Sequence, residues 1–137
     1  MSYKKYPKEN MIWATLFFIG ISAAIGAWFR WGLDILLNPI FPTLPFGTLA
    51  ANLIGGFLIG VFMQLTTNRL FLPEIARLAV TTGFLGGLTT FSTFSAETVN
   101  LLSHQEFLWA TISIVSHLFG TIFATMIGIF FVKFFTL

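Results

Sequence analysis

Residues 83–97 read G-F-L-G-G-L-T-T-F-S-T-F-S-A-E, and this stretch decides the fold. Apolar sequence on both sides places it at membrane depth, yet Gly86-Gly87 followed by Thr89-Thr90 is poor helix material. Backbone that leaves a helix inside a bilayer is tolerated only where protein buries it or where it lines a polar cavity. Its freed carbonyls and hydroxyls can then bind ions, as in the broken helices of transporters. We therefore predict that this break is the functional centre.

The composition is that of an integral membrane protein. Of the 137 residues, 56% are hydrophobic and only 9% are charged, whereas about a quarter of a soluble domain is charged. The absence of cysteine excludes a disulfide framework, a thiolate metal site and a cysteine nucleophile. The net charge of +2 comes from scattered basic residues, which does not favour nucleic-acid binding.

Four apolar segments predict a single four-helix transmembrane domain over 1–137. The predicted spans are about 11–37, 46–66, 75–102 and 107–135, and we read the first as a retained span rather than a signal peptide. Three prolines between 38 and 45 end the first span. As one continuous helix, the third span would be about 42 Å long against a hydrocarbon core of about 30 Å. This excess length agrees with a helix broken in the middle of the membrane.

Two polar features lie inside the first two spans. Asn52 lies deep in span two, so its amide must find a partner in the protein or in water, either as an interhelical contact or as pore lining. Arg30 and Asp34 are four residues apart and share a helix face, so they can form an ion pair at the membrane surface. The other interpretation of Arg30 is an ion-attracting mouth.

Span four carries two faces that repeat every four residues. A small-residue face suits helix packing; it comprises Ser116, Gly120, Ala124 and Gly128. A polar stripe comprises Ser113, His117, Thr121 and Thr125. The stripe favours a polar lining, although each hydroxyl could instead bond the carbonyl four residues before it.

The remaining residue types exclude several chemistries. A proton-coupled antiporter usually needs a buried carboxylate, but every acidic residue falls near a predicted span end: Glu9, Asp34, Glu74, Glu97 and Glu106. His104 and His117 have no third ligand at metal-binding spacing. Hydrolysis by a Ser-His-acid group would need Glu97 and His117 to converge on one serine. We predict that the chain is not an enzyme.

What remains is an uncharged polar lining that suits an anion. Amide and hydroxyl groups donate hydrogen bonds, and the positive edges of Phe91 and Phe94 can face an anion without holding it tightly. Conduction needs binding that is strong enough for entry and weak enough for exit. This reasoning permits an anion pore but does not name the anion, and phenylalanines also pack against lipid.

Three segments together resemble the CrcB or Fluc family of small fluoride channels. They are residues 83–95, residues 47–57 (G-T-L-A-A-N-L-I-G-G-F) and residues 26–31 (G-A-W-F-R-W). The similarity covers essentially the whole chain in length, span number and motif order. It implies a dimer of four-helix subunits inserted antiparallel in the cell (inner) membrane, with two pores along the subunit interfaces. Such a channel passes fluoride passively and selectively over chloride, which lowers cytoplasmic fluoride.

The resemblance also implies roles for individual residues. The pore phenylalanines would be Phe91 and Phe94, and Gly86 and Thr89 would offer backbone carbonyls to a structural sodium ion at the dimer centre. Polar groups of the pore would come from Asn52, Thr90 and Thr93, further lining from Ser113, His117 and Thr121, and a vestibule charge from Arg30.

The basic residues bear on how the subunits are oriented. On the side of the termini lie Lys4, Lys5, Lys8, Arg69, Arg77 and Lys133, while Arg30 alone lies on the other side. The positive-inside rule then favours cytoplasmic termini, whereas a subunit that inserts both ways should show little bias. We favour a dual-topology homodimer, and the alternative is a heterodimer with a paralogous subunit.

Two other functions remain as alternatives. A small four-span multidrug or cation antiporter would need a glutamate in span one, and none occurs between Met11 and Phe29. A non-transporting membrane assembly subunit would need only the helix-packing glycines. The phenylalanine pair and the polar stripe argue against the latter.

Overall fold

The computed structural model describes residues 9–41, 43–68 and 71–136, so Lys4, Lys5, Lys8 and Arg69 lie outside the described residues. These ranges are helical throughout apart from short connections and contain no strand, which confirms the predicted all-α class. The helices are α1 Glu9–Leu37, α2 Phe46–Asn68, α3 Glu74–Leu78, α4 Gly86–Leu88, α5 Phe91–Ser103 and α6 Phe107–Thr136. A 3₁₀ turn, Asn38–Ile40, follows α1, and a π-helix, Ala79–Leu85, joins α3 to α4.

Three helical stretches are long and apolar enough to cross a membrane. They are Asn10–Ile40, Phe46–Thr67 and Phe107–Phe135. Large apolar side chains cover the outside of the bundle, among them Trp13, Phe17, Trp28, Trp31, Phe123 and Phe134. Such a surface requires a lipid environment, and the chain is a multi-pass membrane protein. The third predicted span is the interrupted one, formed by α3, the π-helix, α4 and α5.

The interruption lies at Thr89 and Thr90. Both residues are extended, with φ/ψ of −86°/152° and −149°/121°, whereas Gly86 is still helical and α4 runs to Leu88. The break therefore lies inside the predicted stretch 83–97, at the threonine pair rather than at the glycine pair. Gly87 has another purpose, because a Cβ there would overlap the main chain of Ala23 in α1.

Glycines allow the closest helix contacts elsewhere in the bundle. The most extensive contact is between α2 and α6. A Cβ on Gly60 would overlap the carbonyl oxygen of Thr125, and one on Gly128 would overlap that of Phe57. Each helix thus places a glycine against the main chain of the other, which is how small residues let membrane helices approach.

Candidate functional site

Asn52 closes the gap that the helix break opens in the main chain. Its Oδ1 accepts a hydrogen bond from the Thr90 N–H at 2.8 Å, and its Nδ2 donates to the Thr90 carbonyl at 3.0 Å. The side-chain amide thus pairs with both main-chain groups of one residue, much as a neighbouring strand would. Asn52 is only 9% exposed. The partner that its depth requires is the broken backbone itself.

The break redirects two N–H groups that a continuous helix would give to the carbonyls four residues earlier. In a continuous helix the Gly86 carbonyl would accept from the Thr90 N–H, which here donates to Asn52. The Thr89 carbonyl would accept from the Thr93 N–H, which here donates to Thr90 Oγ1 at 3.1 Å. The intervening carbonyl of Gly87 accepts instead from Arg30 Nε at 3.2 Å. The Gly86 and Thr89 carbonyls are also those for which the sequence resemblance implies a sodium ion.

Hydroxyl groups at the break stabilise the two helix ends. Thr90 is the N-cap of α5, and its hydroxyl donates to Thr93 Oγ1 at 3.0 Å while accepting the Thr93 N–H. Thr89 Oγ1 donates to the Leu85 carbonyl at 2.9 Å, alongside the Thr89 N–H. The hydroxyls of Thr89 and Thr90 therefore already form hydrogen bonds with the main chain at the two helix ends.

Two phenylalanines and a histidine form a short aromatic row beside the break. Phe91 and Phe94 meet edge to face, with ring centroids 5.4 Å apart. Phe94 also lies against the imidazole of His117, with centroids 4.4 Å apart and planes inclined by 32°. Phe91 is 78% exposed, which is unusual for so large an apolar ring next to a polar backbone.

His117 is buried in α6 and is bonded on one side only. Its Nδ1 lies 3.0 Å from the Ser113 carbonyl oxygen one turn earlier. Its Nε2 is buried and has no hydrogen-bond partner among the described residues. The imidazole is 6% exposed and Ser113 is 1% exposed, so this end of the polar stripe lies inside the bundle.

The hydroxyls farther along the stripe bond their own helix. Thr121 Oγ1 donates to the His117 carbonyl at 2.6 Å, and Thr125 Oγ1 donates to the Thr121 carbonyl at 2.9 Å. This is the alternative that the sequence left open for each hydroxyl. Their hydroxyl oxygens can still accept a hydrogen bond, but their O–H groups already donate to the helix.

A cavity of about 630 Å³ lies between α2, the break, α5 and α6. Eight of the predicted site residues line it: Asn52, Gly86, Thr89, Thr90, Phe91, Phe94, His117 and Thr121. Arg30, Thr93 and Ser113 are not among its lining residues. Gly55 and Thr81 also line it, and neither was predicted. Gly55 could have been found from the sequence, because it follows Asn52 by about one helical turn. In the structure, a Cβ on Gly55 would overlap the Thr89 methyl group.

A second polar cluster lies near the cavity and was not predicted. Thr48 is 1% exposed and donates from Oγ1 to Glu97 Oε1 at 2.6 Å. Glu97 Oε2 and Asp34 Oδ1 are both buried without a hydrogen-bond partner in the described ranges. Glu97 therefore lies between helices rather than at a solvated span end. Arg30 donates to the Gly87 carbonyl at the break while its charge still acts on the Asp34 carboxylate, so the predicted pair is an attraction rather than a direct contact.

Side-chain clusters that bind metals are absent from the part of the chain that the structure describes. No group of three or more His, Asp or Glu side chains converges there. Any cation at the break would depend on main-chain oxygens.

Comparison with known proteins assigns the family. Residues 17–129 match the family described as "CrcB-like protein, Camphor Resistance (CrcB)". A protein of Nitrosospira multiformis is 57% identical over 115 residues, 84% of this chain and 90% of its own length. Relatives from Ralstonia pickettii and Thiobacillus denitrificans are 52% and 49% identical over 86% and 85% of this chain, and 94% of each relative. All three are named fluoride-specific ion channel FluC. Together, the span of the family match and these identities show that the chain belongs to the CrcB family.

Proposed function

We propose that this protein is a passive, fluoride-selective ion channel that lowers cytoplasmic fluoride. The observation that carries the proposal is the cavity at the helix break, which is lined by an amide, hydroxyls and phenyl rings. The names of the relatives support fluoride as the ion. Those relatives are named as channels, which supports a transport function rather than an enzymatic one.

The cavity lining suits a small anion that must first bind in the pore and then leave it. Amide and hydroxyl hydrogens and the positive edges of Phe91 and Phe94 can replace part of the hydration shell of fluoride. The guanidinium of Arg30 is engaged with the Gly87 carbonyl and does not line the cavity, so it would attract anions toward the vestibule without trapping them. We assign polar pore contacts to Asn52, Thr90, Thr93, Ser113, His117 and Thr121.

The working unit in this proposal is an antiparallel homodimer with two pores along the subunit interface. Main chain that leaves a helix cannot face lipid, because its carbonyls would stay unsatisfied. Yet Gly86 is exposed in the single subunit, and Phe91 beside the break is 78% exposed. A second copy placed against this surface would bury both. A paralogous subunit would cover the surface equally well.

We further propose a structural sodium ion where the two subunits meet. The Gly86 and Thr89 carbonyls, whose helical donors are redirected to other groups, would contribute two oxygens from each subunit. Carbonyl oxygens are the ligands that hard cations prefer. The ion would neutralise the main-chain dipoles at the break and so hold the dimer together.

Fluoride efflux from liposomes tests the function directly. Reconstituted protein with a potassium shunt should release fluoride much faster than protein-free vesicles and should leave chloride inside. A folded dimer that passes no fluoride would overturn the proposal, whereas equal chloride efflux would remove only the selectivity. Labelling a C-terminal tag from each side of the membrane tests the dual topology, and uniform cytoplasmic labelling would exclude the homodimer.

One observation keeps a proton-coupled transporter as the second candidate. The carboxylate of Glu97 is buried next to Thr48, with one oxygen that has no hydrogen-bond partner among the described residues. A buried carboxylate is what such coupling requires. An imposed pH gradient that drives fluoride uphill in wild-type vesicles, but not in Glu97→Gln vesicles, would favour this candidate over passive flow.

A further inference from the structure

We propose that His117 binds fluoride through Nε2 only when its imidazole is doubly protonated, so that fluoride passage requires a proton to be present on this residue. The proposal rests on the proposed function and adds to it a chemical requirement at one atom. It concerns a side chain that lines the cavity and packs on Phe94.

The contact with Ser113 fixes which nitrogen carries the proton in the neutral ring. Nδ1 lies 3.0 Å from the Ser113 carbonyl oxygen, and a carbonyl can only accept, so Nδ1 must hold a hydrogen. A neutral imidazole has one N–H, which leaves Nε2 with a lone pair. The stacked ring of Phe94 holds the imidazole plane in this orientation.

The consequence for an anion follows from the chemistry of Nε2. A lone pair at Nε2 repels fluoride and offers no donor. Adding one proton converts the same atom into an N–H donor on a cationic ring, which makes a charge-assisted hydrogen bond to an anion. Nε2 is buried without a partner in the described part of the chain, so no protein acceptor competes for that hydrogen.

Few other charges surround this imidazole. The helices packed on α6 are α2 and α5; α2 contains no acidic, basic or histidine residue, and α5 contains only Glu97. Glu97 accepts from Thr48 and lies near Asp34 of α1. On α6 itself, Lys133 lies about four turns farther along the helix. Glu97 is therefore the group that an experiment must separate from His117.

The first test is the pH dependence of fluoride efflux from vesicles over about pH 5 to 8, the range in which imidazoles titrate. While His117 is mostly neutral, efflux should rise up to about tenfold for each unit of acidification, because the imidazolium fraction does. Protein-free vesicles at each pH supply the background from neutral hydrogen fluoride. His117→Gln carries a permanent N–H donor and should give a flat profile. Glu97→Gln should keep the wild-type slope.

The second test observes the imidazole directly and needs no change at His117. In a His104→Gln background one imidazole remains, and its NMR titration can be followed with sodium fluoride or sodium chloride. Fluoride should raise the pH at which Nε2 gains its proton, and chloride should not, because binding and protonation are reciprocally linked.

The outcomes separate the two proposals. No fluoride flux at any pH would defeat the channel itself. The inference about His117 would be overturned, and the channel left in place, by fluoride flux that is independent of pH in the wild type. A pH slope that persists in His117→Gln, or that disappears in Glu97→Gln, would have the same consequence. So would an imidazole titration that fluoride does not shift.

Discussion

Replacing Asn52 by alanine should loosen the helix break by an amount that the structure lets us estimate. The change removes two hydrogen bonds at once, those to the N–H and the carbonyl of Thr90. Leaving a buried polar group unpaired costs about 1–3 kcal/mol. Thr90 is half-buried beside a cavity that can admit water, so the lower figure applies to each group. The expected loss of local stability is about 2 kcal/mol.

Hydrogen exchange reports this quantity at the bond concerned. The Thr90 amide exchanges only when the break opens, and a loss of about 2 kcal/mol should speed its exchange about 30-fold. Peptides that cover 88–91 isolate the signal. Asn100→Ala is the matched control, because Asn100 is exposed near the end of α5 and the same substitution there should leave exchange at Thr90 unchanged.

Unchanged exchange at Thr90 in Asn52→Ala would refute the reasoning, since it would mean that the side-chain amide does not hold the main chain. Faster exchange across the whole protein would also count against it, because the loss is expected at the break rather than in the helix bundle. Fluoride efflux measured on the same variant should fall together with the local protection.

Three further predictions use the same preparation. Phe94→Ile should lower fluoride efflux by up to about tenfold, because a ring-edge contact is worth about 0.5–1.5 kcal/mol, and size-exclusion chromatography should show the proposed dimer unchanged. The control is Phe130→Ile on the exposed surface, which should leave efflux unchanged. Equal efflux from the two variants would contradict the assignment of Phe94 to the pore. Gly128→Ala should lower the free energy of unfolding by about 1–3 kcal/mol, because the new methyl group would meet the Phe57 carbonyl; Gly20→Ala, which meets nothing within 4 Å, should not. Replacing sodium with a large organic cation during purification should lower both dimer stability and efflux, and indifference of both would remove the sodium site.

The break could be predicted from the sequence because its cause is local. Two glycines and two threonines within five residues weaken a helix in any context, and a deep amide must find a partner. The hydrogen bonds between Asn52 and Thr90 satisfy both expectations, because the deep amide finds its partner in the main chain of the weakened helix. The exact place of the break was not predictable, because Gly87 serves a contact with Ala23 that only the packed helices reveal.

The burial of Glu97 could not be predicted for a different reason. Position along the chain places Glu97 near the end of span three only if that span is one straight helix. The carboxylate instead meets the hydroxyl of Thr48 on α2. Neighbouring helices decide such contacts, and spacing within one helix says nothing about them.

The sequence predicts the polar stripe of span four but not which hydrogen bonds its side chains make. Thr121 and Thr125 bond the carbonyls one turn before them, whereas His117 leaves one nitrogen without a partner in the described ranges. A hydroxyl can reach its own helix in this way, and an imidazole that does so still has a second nitrogen. The stripe therefore contains two kinds of residue that periodicity alone does not distinguish.

The seven-residue π-helix Ala79–Leu85 acts as an angular spacer in front of the break. Its wider winding sets the direction in which Thr89 and Thr90 leave the helix axis. Removing one residue from this segment would rotate everything downstream about the helix axis and draw it back along that axis. The amide of Asn52 would then face a different peptide unit. The length of this segment therefore helps to aim the open backbone at its partner.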